Sequence, residues 1–335
     1  MKFAEKLKKL FVDFKISIPD IPENKYHLYA DYVELIVLFA NSEVTQSDIL
    51  DKLYDEDIIR FESEDIENNY DLFSKKPKRD DENENWVNEI FQLINYRSFL
   101  FSSDYPFELD DDVLTLKDEN KLSDKNKIYL SLLIASSLNY FKLLQPELTS
   151  EFETISYHSL INFMPKHAIV KPLGNNSFYS GNAKQKIKEL SKDMNIDLND
   201  KEILNISDRN NQERGLDLIS WIPFQDKIPN FITILAQCAC GKEWYKKQNE
   251  TDRYENYFVF YKQKPIHALY IPYSLSKNDD DDSFTFFQSD DISKDRTIMF
   301  DRKRILEFLP TTDFFNSLQS KHIVNECINY EEDIV

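Results

Sequence analysis

A carboxylate and a carboxamide, Asp217 and Gln237, stand where chemistry is the simplest reason for a polar group. Asp217 lies in Gly-Leu-Asp-Leu-Ile-Ser-Trp (215–221) and Gln237 in Phe-Ile-Thr-Ile-Leu-Ala-Gln-Cys-Ala-Cys-Gly (231–241). Both stretches are short, apolar and bounded by polar turns. They predict neighbouring strands in a sheet covered on both faces. Alternation puts Asp217 on one face with Ile219 and Trp221, and Leu216 and Leu218 on the other. By the same rule Gln237 shares a face with Phe231, Thr233, Leu235 and Ala239. An unpaired buried charge is costly, so Asp217 needs a partner. A divalent cation is one candidate.

Glycine usage points to the same stretch. The chain has 4 glycines in 335 residues, far below the usual share of about 7%. Gly215 precedes Asp217 and Gly241 follows Gln237. Such glycines mark either backbone that needs positive φ or close approach, or ordinary turns.

Gly-Leu-Asp, a polar hairpin and a hydrophobic strand ending in Gln resemble the core of the PD-(D/E)XK nuclease superfamily. The likeness is to its Mrr-like branch, which reads Gly-x-Asp and then Gln-x-Lys. The longer strings Gly-Leu-Asp-Leu-Ile-Ser-Trp-Ile-Pro-Phe and Gln-Cys-Ala-Cys-Gly-Lys-Glu-Trp also resemble a group of bacterial proteins associated with phage-defence-type gene neighbourhoods. The resemblance spans roughly 148–309 and leaves the first 145 residues aside. It implies a metal-dependent DNA endonuclease using Mg²⁺ or Mn²⁺, one component of a restriction or antiviral defence system. Such a metal activates a water and offsets charge developing on the phosphate. Mg²⁺ keeps several waters, so one carboxylate, one further oxygen and a backbone carbonyl suffice. Asp217 would be the carboxylate and Gln237 the further oxygen, where most relatives use Glu. The chain departs from the pattern at Ala239, the usual Lys position. Lys242, with Lys246 beside it, is the replacement expected to act on the water. The acidic residue that the superfamily carries on a helix before the strands would be Glu153, in Phe-Glu-Thr-Ile-Ser-Tyr-His-Ser (152–159), with Glu189 as the alternative.

Composition bounds these expectations. Hydrophobic content of 41%, with aromatics at 14%, suffices for sizeable cores, but the net charge is −19. That balance opposes phosphate binding, which depends on Lys and Arg, unless positive charge is confined to one face. Lys184, Lys186 and Lys188, with Arg302, Lys303 and Arg304, are the clusters expected to line a DNA face, or else to neutralise neighbouring acids. The acidity equally suits a catalytically inactive adaptor of the same fold, binding DNA or a partner such as an ATPase encoded alongside. Three cysteines give no disulfide framework, and Cys238 and Cys240 alone are too few for a structural zinc site. The five histidines show no metal-ligand spacing, and no phosphate loop or nucleophile elbow is present. With no bilayer-length apolar run and no signal-peptide pattern, a cytoplasmic protein with no membrane role is expected.

The elements that must position these residues divide near Pro146. Residues 1–146 read as a mostly helical domain for partner or substrate binding. Its helices cover 2–15, 26–40, 44–55, 86–101 and 125–144, with a hairpin over 107–117 and an exposed, mobile loop over 62–85. Residues 147–335 read as the nuclease-like core. The fold class is therefore α/β: a helical N-terminal domain, then a restriction-endonuclease-like core with a mixed central sheet flanked by helices. Within that core, 244–261 is expected to be a helix, and 267–273 and 297–301 strands.

Overall fold

The structure is a computed structural model that describes residues 3–12, 14–17, 25–40, 43–55, 72–208, 215–224, 226, 228, 231–278, 284–286, 297–310 and 313–330. It is a mixed α/β protein whose chain divides into two compact units. The first holds 1–142, 275–287 and 320–335; the second holds 143–274 and 288–319. The first division falls close to the expected boundary at 146. The second unit does not run to the C-terminus, because two later segments return to the first.

The first unit begins with α1 (Phe3–Leu10), α2 (Tyr26–Ala40), β1 (Val44–Thr45), α3 (Gln46–Asp55) and α4 (Leu72–Phe101). It continues through β2 (Phe107–Asp110), β3 (Val113–Leu116) and α5 (Asp124–Ser136). Thr45 and Asp48 cap α3 reciprocally: Asp48 N donates to Thr45 Oγ1 at 3.1 Å, and Thr45 N to Asp48 Oδ2 at 2.8 Å. Ser123 and Asn126 do the same for α5. The strands form a three-stranded sheet, β1-β3-β2, with Asp111 at positive φ in the hairpin turn. Residues 72–85, read from sequence as part of a loop, belong to α4. Their Lys, Glu and Arg content favours a helix as readily as a solvated loop. The rest of that expected loop, 62–71, lies outside the described residues.

Helix α2 is buried almost all round and carries two acids inside, Asp31 and Glu34. Arg97 of α4, itself fully buried, places Nη1 at 2.8 Å from both Asp31 Oδ1 and Glu34 Oε1. Its Nη2 donates to the His27 carbonyl at 2.9 Å. Tyr105 and Tyr129 donate to Glu34, and Ser136 to Asp31. Burial alone would push the guanidinium towards its neutral form, but Glu34 and Asp31 outweigh it and hold Arg97 firmly charged.

In the second unit α6 (Gln145–Phe163) precedes β4 (Ile169–Pro172), α7 (Ala183–Met194), α8 (Asp200–Leu204), β5 (Leu218–Trp221) and β6 (Thr233–Cys238). The expected helix over 244–261 is broken instead into 3-10 turns at Trp244–Lys247 and Glu250–Arg253, followed by the short α9 (Tyr254–Tyr257). Next come β7 (Ile266–Tyr270), the hairpin β8 (Ser276–Asn278) and β9 (Phe284–Phe286) of the first unit, β10 (Thr297–Phe300) and α10 (Arg302–Glu307). Helix α11 (Ser320–Ile328) ends the described chain in the first unit. The central sheet is mixed, in the order β10-β7-β6-β5-β4. Strands β4, β5 and β6 are antiparallel neighbours, while β7 runs parallel to β6 and β10 parallel to β7. Helix α6 packs on one face of this sheet against β4, β5 and β6. The other face builds a core from Ile187, Leu190, Ile219, Trp221, Leu235 and Tyr254.

Arg97→Met should strand two buried carboxylates and cost about 3–5 kcal/mol, read as a lower urea midpoint for the first unit. A loss under about 1 kcal/mol, as for a surface ion pair, would contradict the role given to the network.

Candidate active site

The site grows from an irregularity in β5. Asp217 donates its N–H to the Ala236 carbonyl at 3.0 Å, although Ala236 is already the register partner of Leu218. Two consecutive residues thus oppose one, which is a β-bulge. On the other edge the Asp217 carbonyl accepts from both Leu173 N (2.7 Å) and Gly174 N (3.2 Å). The extra residue resets the alternation upstream of Leu218. Leu216, expected opposite Ile219 and Trp221, packs in one core with them. Asp217 is turned instead towards the α6 side, and its Oδ2 accepts from Cys238 N at 2.6 Å.

Glu153 of α6 meets it there. The buried face of the helix runs through Leu148, Phe152, Ile155, Ser156, Ser159 and Leu160, and Glu153 sits on the flank of that face at 8% exposure. Asn175 fixes the carboxylate twice, through its backbone N to Oε2 and through Nδ2 to Oε1, both at 2.8 Å. Gly174 marks the meeting point. A Cβ at this position would sit 2.6 Å from Glu153 Oε2 and 3.0 Å from Asp217 Oδ1. Two carboxylates from separate elements therefore close on one small space that the missing side chain leaves open. Asp217 is 4% exposed. Both acids are expected from the sequence, and Gly174 is not. Its signal was present: it is one of 4 glycines, two residues past the end of β4 and directly before two asparagines. Gly241, singled out from the sequence, has nothing within 4 Å of a built Cβ.

Gln237 goes elsewhere. Cys238 faces α6 beside Ser156, so its neighbour on the strand takes the opposite face. There the Gln237 carboxamide lies against Gly215 and Glu250. The expectation that Asp217 and Gln237 present oxygens on one face is corrected by the bulge. Glu189 is on the exposed side of α7, paired with Lys192 at 2.7 Å. Among the described residues no group of three or more His, Cys, Asp or Glu is arranged to hold a metal ion. The oxygen donors here number two carboxylates with nearby backbone carbonyls.

The basic residues also differ from their expected roles. Lys242 is exposed on the turn after β6, and Lys246 pairs with Glu243. Lys186 donates to the Leu173 carbonyl at 3.2 Å, next to Gly174. Lys247 acts on Cys240, a thiol that also feels Glu153 and Asp217. Arg302, expected on a DNA face, is fully buried and donates through Nε to the Pro272 carbonyl at 2.9 Å. It serves the backbone after β7, not a phosphate. Arg304 donates to the Met299 carbonyl at 2.7 Å while remaining exposed, and Lys303 is half-buried. Lys184 pairs with Asp208 at 2.8 Å and holds that carboxyl below its usual range, and Lys188 is exposed.

Burial, and then the charges of Asp217 and Glu153, push the Cys238 thiol well up; burial and Glu153 do the same to Cys240 despite Lys247. Thiols raised in this way suit packing better than nucleophilic attack. No helix among the described residues is long and apolar enough to cross a membrane. Comparisons with protein-family models, with curated proteins and with solved structures find no match.

With all three cysteines buried and free, a chromogenic disulfide reagent should label the native chain on the order of a hundredfold more slowly than the denatured chain. Rapid labelling of one thiol at neutral pH would contradict this packing.

Proposed function

We propose that this chain is a metal-dependent DNA endonuclease in which Glu153 and Asp217 hold one Mg²⁺ or Mn²⁺ beside Gly174. The reading extends to a cytoplasmic component of a bacterial restriction or antiviral defence system that works with a protein partner. The observation that carries it is the convergence of two buried carboxylates on a space where a Cβ would touch both. An all-oxygen donor set suits a hard divalent cation. Once bound, such an ion supplies an activated water and offsets phosphate charge.

The chain's own residues do the positioning. Asn175 orients Glu153, Cys238 N orients Asp217, and the bulge turns Asp217 towards α6. An acidic residue on a helix followed by antiparallel strands supports kinship with a restriction-endonuclease-like core. Position 239 is Ala, so an ammonium group must come from another element. Lys186, anchored beside Gly174, and Lys247, close to Cys240, join Lys242 as sources. The two clusters expected to contact DNA reduce to Lys184, Lys186, Lys188, Lys303 and Arg304.

Ala239 and the divergence of Gln237 favour a second reading, an inactive adaptor of the same fold that binds DNA or a partner ATPase. Nicking of supercoiled plasmid in Mn²⁺ separates the two. Asp217→Asn and Glu153→Gln should each lower the rate by a hundredfold or more, roughly the cost of removing one strong electrostatic stabiliser. Equal cleavage by wild type and both variants would sink the nuclease reading. A wild type that never nicks yet co-purifies with a neighbour-encoded protein would establish the adaptor.

A further inference from the structure

We propose a second divalent-cation site on the opposite face of the sheet, formed by Gln237 and Glu250 around Gly215. Gln237 is 6% exposed, and its Oε1 has no hydrogen-bond partner among the described residues. Its Nε2 donates to the Cys238 carbonyl at 3.4 Å. Buried carboxamide oxygens are ordinarily paired, so an orphan aimed at a defined space is a sign of something that fills it. The space is defined by Gly215. A Cβ built there would lie 3.1 Å from Gln237 Oε1 and 2.6 Å from Glu250 Oε2. Gly215 has φ of 86°, which favours glycine, and its missing side chain lets Glu250 approach, with Glu250 Cβ 2.8 Å from the same point.

The chemistry of the two groups selects the ligand. A carboxylate and a carboxamide oxygen are both acceptors and cannot satisfy one another. Turning the amide over would offer Nε2 to Glu250, but it would set Oε1 against the Cys238 carbonyl, again acceptor against acceptor. The oxygens call for a positive centre between them. Neither group offers nitrogen or sulfur as a ligand, which disfavours soft metals. A hard ion such as Mg²⁺ or Mn²⁺, which completes its shell with water, matches one carboxylate and one amide.

Glu250 was not singled out by the sequence reading, since it lies in a run of polar residues with no strand or helix periodicity. Gly215 and Asp217 are two residues apart, so the two oxygen pairs bracket one short segment. Because the two pairs lie on opposite faces of the sheet, a cation held here would not share a phosphate with the Glu153–Asp217 site, and its role is to tie the end of β6 to the turn that carries Glu250.

Titration of the full-length chain with Mn²⁺, without DNA, counts the sites through the loss of the free-ion electron paramagnetic resonance signal. Wild type should bind two equivalents. Glu250→Gln and Gln237→Met should each bind one, with unchanged circular dichroism, and Glu250→Asp should restore part of the second. Asp217→Asn should lose the other equivalent and keep this one. Unchanged stoichiometry in both Glu250→Gln and Gln237→Met would overturn the second site. Unchanged stoichiometry in Asp217→Asn alone would instead overturn the Glu153–Asp217 site and leave this one standing.

Discussion

Two carboxylates brought to one desolvated point repel, and most of what surrounds Gly174 counters that repulsion. Glu153 is held from the helix side by two hydrogen bonds from Asn175, and Asp217 from the strand side by the Cys238 amide. Each donor is backbone or a neutral amide. The pair is therefore oriented, but these bonds bring no net positive charge to it. The frame behind them is rigid: Leu148, Phe152, Ile155 and Leu160 seat α6 on the sheet, and the bulge fixes Asp217 between Gly174 and Ala236. A regular strand in the same place would have sent Asp217 to the other face, away from α6.

That bulge also decides how much of the site could be read from sequence. Strands β5 and β6 were legible because unbroken apolar runs between polar turns leave few alternatives. Glu153 was legible only through the resemblance of its Phe-Glu helix to a known pattern. The direction of Asp217 was not, because period two is a rule about regular ladders, and an inserted residue leaves no mark in side-chain type. Gly174 shows a different limit: scarcity flagged glycines in general, yet the close approach of Glu153 is a long-range contact. Glu250 follows the same logic, since only the fold brings it to Gly215.

The larger divergences have physical causes of the same kind. Arg302 sits in a basic triplet and reads as surface, but the carbonyls after β7 need a donor, and a buried guanidinium fills that role at Pro272. Arg97 is the stronger case. From sequence it is one charge on a long helix, while in the fold it joins Asp31 and Glu34 and three hydroxyl groups in one closed network. The returns of 275–287 and 320–335 to the first unit were invisible for a simpler reason. Apolar periodicity predicts that a helix such as α11 must be covered, but not by which unit.

Electrostatics then constrains how such a site could meet a phosphate. The chain carries −19 overall, and the Glu153–Asp217 pair adds local repulsion at the point of contact. Lys186 spends one donor on the Leu173 carbonyl, and Lys247 stands near Cys240, so the ammonium groups at the margins reduce this field without cancelling it. A phosphodiester approaching the bare pair would be expelled. In the proposed reading a bound cation would offset this repulsion at Gly174. Under that reading DNA affinity near the pair would depend on metal occupancy as well as on the surface lysines. Under the same reading an acidic surface, awkward for a DNA-binding protein, would act as a filter that retains nucleic acid only where a cation offers it positive charge.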